Sequence, residues 1–180
     1  MKPLPFPLAL NIGTDIVHLP RITRLLQRNN YLTRFTRRIL SDSEQADFQK
    51  RFKDTLQLHT STNRHASSRG PPSTPTHTIV TPDMTRWLAG RFAAKEAARK
   101  AGPGGAASLG WKDVVVRIPE DAADGDRERE SEIGATVQEG TSRRPEIVFL
   151  GGGAGRPDRL GRLSISHDGE YVVATVLAAG

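Results

Sequence analysis

The chain has 180 residues and no cysteine, which bounds it to one domain, or one domain with insertions, and excludes disulfides and thiolate metal ligands. Its 26 basic against 20 acidic residues give a formal charge of +6, so an anionic partner is expected: a nucleotide, an acidic protein or nucleic acid. No apolar run is long enough to span a bilayer, and residues 1–10 carry no clear targeting segment, being poor in Arg and Ser and short in apolar length.

The segment from Leu8 to Val17 alternates as a strand does, with Leu8, Leu10 and Ile12 on one face. Ala9, Asn11, Gly13 and Asp15 share the other face, which is small and open apart from the acid. Pro20 opens a helix whose inner face is Ile22, Leu25 and Leu26, leaving Arg21, Arg24 and Arg28 outside; Arg34, Arg37 and Arg38 follow shortly after. Ser41 and Glu44 have the spacing of a capping box, so a second helix is expected to run towards Phe52.

Residues 54–83 are dense in Ser, Thr, Pro, His and Arg without a hydrophobic period, and 119–144 mix acids, Arg and Gly. Neither buries enough apolar surface to offset its ordering entropy, so both are predicted to be mobile insertions in a single domain spanning 1–180. His59, His65 and His77 fall in or beside the first, at irregular spacings that do not suit a metal site.

Between them a helix is predicted, capped by Thr81-Pro82-Asp83 and closed by Gly102-Pro103. Leu88, Phe92, Glu96 and Lys100 follow one another by single turns, so Glu96 is predicted to fall on an inward stripe, where a carboxylate must be paired, neutralised or metal-bound. The other reading is an i,i+4 pair of Glu96 with Lys100 on a solvated face, worth about 0.2–0.5 kcal/mol. Asp15 at a strand end and Glu96 on the helix are the oxygen ligands a Mg²⁺ site uses, since that ion takes one or two protein carboxylates and completes its shell with water and phosphate.

Residues 114–118 and 146–150 read as strands. Gly151 to Gly155 follows the second of these, but Pro157 and the absence of a helix pattern argue against a dinucleotide loop. Leu163 to Leu177 reads as a β-hairpin turning at Asp168-Gly169. Ser166, His167 and Asp168 adjoin one another there; neighbours on a strand face opposite ways, so they are not a catalytic triad. The elements together predict an α+β fold, an antiparallel sheet with one long helix packed on it. No aromatic stacking set or motif points to nucleic acid.

Gly13-Thr-Asp-Ile-Val17 with Arg21, Phe35-x-x-Arg-Ile-Leu40 with Ser43-Glu44, the helix from Leu88 to Lys100 and Ser164-Ile-Ser-His167 occur in that order. In these motifs the chain resembles the holo-(acyl carrier protein) synthases, the small bacterial-type 4′-phosphopantetheinyl transferases. The resemblance spans most of 8–52, 84–118 and 145–178. It implies the fold of that family, a homotrimer with sites between subunits, and no role at a membrane. It implies Mg²⁺ on Asp15 and Glu96, contacts of Arg91, Lys100 and His167 with the phosphates of coenzyme A, and a carrier-protein contact at Arg21, with Arg24 and Arg28 on the same face. The implied reaction is attack by a serine of apo acyl carrier protein on coenzyme A, releasing 3′,5′-ADP. Asp15, Glu96 and Lys100 are then the catalytic set, and the serine proton passes to Asp15, Glu96 or a water on the metal. A eukaryotic member would be mitochondrial and a bacterial one cytoplasmic.

The chain departs from the family pattern at three places. His18 stands where an acid usually follows the metal Asp by three residues; Ala101-Gly-Pro-Gly-Gly105 replaces a Phe-Gly-Thr-Gly turn; and Gly151 to Pro157 replaces a short helix. A non-catalytic coenzyme A or carrier-protein binding module is the alternative these departures keep open. The larger pseudo-dimeric class of transferases is disfavoured by the short chain and its single Asp15…Glu96 set.

Overall fold

The computed structural model describes residues 8–57, 79–118, 144–152 and 155–180. Five strands form one antiparallel sheet: β1 (Leu10–His18), β2 (Val114–Arg117), β3 (Glu146–Phe149), β4 (Arg159–Asp168) and β5 (Tyr171–Ala179), in spatial order β1-β5-β4-β3-β2. Helices α1 (Leu19–Leu26), α2 (Tyr31–Ile39) and α3 (Asp42–Arg51) precede the long helix α4 (Pro82–Ala101). The α+β expectation holds. Among the described residues no helix is long and apolar enough to cross a membrane.

The local signals act where the sequence puts them. Ser41 and Glu44 close the capping box of α3 reciprocally, Thr81 Oγ1 accepts from Met84 N at the start of α4, and Pro20 lies in the first turn of α1. The β4–β5 hairpin forms, but one residue later than Asp168-Gly169 suggests: Asp168 pairs with Tyr171, so the turn residues are Gly169 and Glu170. Gly169 alone takes a positive φ (50°) there, as a turn with glycine first requires.

The face α4 turns to the sheet is made of alanine. Ala89, Ala93, Ala94, Ala97, Ala98 and Ala101 are fully buried, with Met84 and Leu88 at the N-terminal end. The expected stripe is therefore corrected: Leu88 is buried, but Phe92 and Glu96 are only partly so and Lys100 is exposed. Small side chains let the helix axis come close to the strands, which pushes the bulky stripe to the flank. There Phe92 stacks between Phe35 and Trp111, ring centroids 5.8 and 5.0 Å away.

Gly13 of β1 is the strand's answer to that closeness. A Cβ at this position would overlap Ala97 O and lie 2.7 Å from Ala101 N, both backbone atoms that cannot rotate away. Gly13→Ala is expected to lower stability by about 1–3 kcal/mol through overpacking, read from the denaturant midpoint. A midpoint unchanged within error would show that the helix can lift off the strand at no cost.

The small face of β1 is thus the buried one, carrying Gly13, Asp15 and Val17 towards α4. Its apolar face looks outward: Leu10, Ile12 and Ile16 are exposed, Ile12 by 68% and Ile16 by 62%, and Leu177 beside Ile12 on β5 is exposed too. In α1, Ile22 and Leu26 are buried, Leu25 packs against the core, and Arg21 and Arg24 are exposed, as expected.

The segments expected to be insertions lie mostly outside the described residues, among them His59, His65 and His77. Of the first, the described margins include helix: 54–57, and Pro82 and Asp83, which begin α4. Between β3 and β4, Gly151 N donates to Asp158 Oδ1 at 2.9 Å and the described residues run into β4 without a helix.

Candidate active site

Because Gly13 brings β1 against α4, Asp15 two residues further along the same face meets the C-terminal turn of that helix. Lys100 Nζ donates to Asp15 Oδ1 at 2.9 Å and to Thr14 O at 2.8 Å. The Asp15 side chain is 17% exposed and that of Lys100 45%, so the acid is sheltered and the ammonium can swing into solvent. One turn before Lys100, Glu96 Oε1 accepts from Arg99 Nη1 at 3.0 Å. Glu96 is neither the inward acid nor the partner of Lys100 that the sequence suggested. It lies at the flank of α4, one-fifth exposed, with Arg99 as its cation.

The two carboxylates suit a hard divalent cation in kind and number, oxygen donors sheltered but reachable. Among the described residues no group of three or more His, Cys, Asp or Glu side chains forms, so such an ion would take the rest of its shell from water and substrate.

The other expected residues are placed less uniformly. His167 falls on the inner face of the sheet, in line with Val172 and Val17 across β5 and β1. Its Cε1 approaches Gly90 of α4, at 4.0 Å from where a Cβ would stand. Burial, and then the charge of Arg86, lower its pKa from the usual 6.5, which favours the neutral imidazole, a form that keeps one N–H donor. Ser166 points to the opposite face, which removes the triad geometrically.

Arg91 turns towards α3. Its guanidinium lies over the Trp87 ring at 3.5 Å and Nη2 donates to Asp47 Oδ2 at 3.1 Å, while Nε is buried without a partner among the described residues. Burial lowers its pKa against the pull of Glu44 and Asp47. The structure thus ties Arg91 to α3 and does not place it on the Asp15–Lys100 pair. His18 is tied as well: Nε2 lies 3.3 Å from Glu170 Oε2 and its ring packs on Tyr171. His18 thus contacts the hairpin turn.

Arg21, Arg24 and Arg28 are exposed together with Arg34, Arg37 and Arg38 of α2. Arg24 Nε donates to Pro20 O at 3.3 Å; Arg21 and Arg24 lie on α1, Arg28 between α1 and α2.

Sequence reasoning missed the charge that α4 does bury. Lys95 is 0% exposed and its Nζ lies 2.6 Å from Glu44 Oε2 and 3.0 Å from Trp111 O. Glu44 Oε2 also accepts from Ser41 N at 2.8 Å, and Oε1 from Val116 N at 3.1 Å. One carboxylate therefore joins α3, α4 and the edge strand β2. Burial lowers the pKa of Lys95 and Glu44 raises it in opposition. The signal was present: Lys95 is seven residues after buried Leu88, about 20° from it around the helix, closer than Glu96.

Comparison with known proteins places the chain in a family. Residues 11–176 match the family model of the 4′-phosphopantetheinyl transferase superfamily. The chain is 53% identical, over the full length of both, to 4′-phosphopantetheinyl transferase B, mitochondrial, of Aspergillus fumigatus. It is 31% identical to holo-[acyl-carrier-protein] synthase of Gloeobacter violaceus, covering 94% of this chain and 92% of that one. Among solved structures, the holo-(acyl-carrier-protein) synthase of Bacillus anthracis in complex with CoA (3′,5′-ADP) superposes with a TM-score of 0.52 at 25% identity, covering 93% and 94% of the two chains. The chain belongs to the 4′-phosphopantetheinyl transferase superfamily.

Proposed function

We propose that this protein transfers the 4′-phosphopantetheine group of coenzyme A to a serine of an apo acyl carrier protein, as a holo-[acyl-carrier-protein] synthase of fatty acid biosynthesis. The observation that carries the reading is the junction of β1 and α4, where Asp15, Glu96 and Lys100 stand on adjoining backbone in a chain of this family. Asp15 and Glu96 are the residues that would hold Mg²⁺, which when bound neutralises the pyrophosphate of coenzyme A and the leaving 3′,5′-ADP. Lys100, half exposed on a flexible stem, offers a point charge to the same phosphates. His167 offers a neutral donor from the sheet. The serine oxygen bonds to phosphorus as the bond to the bridging oxygen breaks, and the serine proton is accepted within the site.

The arginine surface of α1 and α2 suits an acidic carrier protein, steering it by charge. The outward apolar row of Leu10, Ile12, Ile16 and Leu177 suits a homotrimer whose subunits cover the outer face of the sheet, since an exposed apolar patch of this kind is what subunit contacts bury. A mitochondrial location is proposed from the likeness to the Aspergillus fumigatus protein.

The test is mass spectrometry of an apo carrier protein incubated with this protein, coenzyme A and Mg²⁺. The expected result is one added phosphopantetheine on a serine; no added mass with the protein in molar excess would leave only the binding-module reading. In the same assay Arg21→Glu is expected to raise KM for carrier protein more than for coenzyme A, and added salt to imitate it, because exposed charges are screened over about 8 Å at physiological ionic strength. A rise confined to coenzyme A would assign the arginine face to the nucleotide instead.

A further inference from the structure

The stretch after α4 holds a built loop, and one side chain of the helix fastens it. From Gly102 to Gly110 the chain folds back by turns: Gly105 N donates to Gly102 O, Ser108 N to Gly105 O, and Ser108 Oγ reaches Pro103 O and Gly105 O at 2.7 and 2.8 Å. Gly104 and Gly105 take φ of 81° and 74°, which glycine adopts without strain.

Arg99 spans this loop. Its Nε donates to Leu109 O and its Nη2 to Ala106 O, both at 2.7 Å, while Nη1 donates to Glu96 Oε1 at 3.0 Å. The guanidinium also lies over the Trp111 ring, 4.9 Å from its centroid, and is only 19% exposed. Two loop carbonyls and a carboxylate are thus satisfied by one planar fork. A lysine ammonium offers a single point of donation and cannot reproduce that spread.

We propose that Arg99 is a positioning residue that couples the 102–110 loop to Glu96. It fixes the loop against the helix end and holds the Glu96 carboxylate on the loop side of α4. In the metal-free chain it is also the cation that competes with a divalent ion for the Glu96 carboxylate. The second part rests on the reading of Glu96 as a metal ligand given above.

The experiment uses the full chain, Mn²⁺ as the metal probe followed by electron paramagnetic resonance, and hydrogen-exchange mass spectrometry of peptides covering 102–110. Arg99→Lys keeps a charge but loses the fork: the loop amides are expected to exchange on the order of tenfold faster, with Mn²⁺ affinity close to that of the parent. Arg99→Gln loses both: the loop loosens equally, and Mn²⁺ binds about two- to fivefold more tightly, the equivalent of losing one partly exposed ion pair. A loss of folding would not produce tighter metal binding, so the two readouts separate positioning from general damage. Unchanged loop exchange in both variants overturns the proposal. So does a loosened loop with unchanged Mn²⁺ affinity in Arg99→Gln while Glu96→Gln weakens Mn²⁺, because the carboxylate is then not restrained by Arg99. If Glu96→Gln leaves Mn²⁺ affinity intact, the metal reading of Glu96 itself has failed and the coupling falls with it.

Discussion

Lys95→Ala is expected to destabilise the protein by about 3–5 kcal/mol, more than any exposed substitution in the chain. The variant leaves Glu44, 3% exposed, as a buried carboxylate without its cation. It also strips Trp111 O of its donor, a loss counted within that figure. Glu44→Ala removes more: the ammonium of Lys95 is stranded, the N-cap of α3 loses its reciprocal bond, and Val116 N at the sheet edge loses its acceptor. A double variant, Glu44→Gln with Lys95→Met, tests the pairing. Glutamine still accepts from Ser41 N or Val116 N and methionine fills the lysine stem's volume without a charge. It is expected to be more stable than either Ala variant, because a buried pair taken out whole often costs little. Urea denaturation at pH 7 measures each variant. Losses of Glu44→Gln alone and Lys95→Met alone that simply add to that of the double variant would show that the two groups do not depend on each other.

That pair also marks the boundary of what the sequence displayed. Caps, turns and strand alternation are local signals, and they placed α1, α3, α4 and the hairpin to within a residue or two. Asp15 was legible because a lone acid stood on a face of Ala and Gly, and its meeting with Lys100 follows from Gly13 admitting the helix. The inward face of α4 was misread because bulky residues were taken to mark burial. An alanine face buries more completely than a Leu–Phe stripe when the partner strand offers glycine. The outward apolar face of β1 was visible as alternation, but its direction depends on where α4 docks, which the strand's own residues do not state. Glu44 looked like a cap and is one. Its second role, to Lys95 and Val116, joins positions 51 and 72 residues apart and has no local signature.

Asp15→Ala and Glu96→Ala are each expected to lower the transfer rate about 10²- to 10³-fold, the scale on which removing one charge-stabilising group at a reacting centre acts. Stability should move far less. Asp15 loses one contact with a Lys100 that is nearly half exposed, and Glu96 one partly exposed i,i+3 pair, so each change should cost about 1 kcal/mol or less. The split between the two measurements is the point: melting temperatures within a few degrees of the parent, with turnover almost gone, locate the defect in the chemistry and not in the fold. Asp15→Ala also frees Lys100 from its tether, which should strengthen its hold on coenzyme A phosphates. KM for coenzyme A is thus expected to rise less than kcat falls, the pattern of an interaction made mainly in the transition state. Excess EDTA applied to the parent should reproduce the loss, and Mg²⁺ should restore it. Near-normal turnover in either variant, or in EDTA, would end the assignment of Asp15 and Glu96 as a metal pair and leave Lys100 and His167 to carry the phosphates alone.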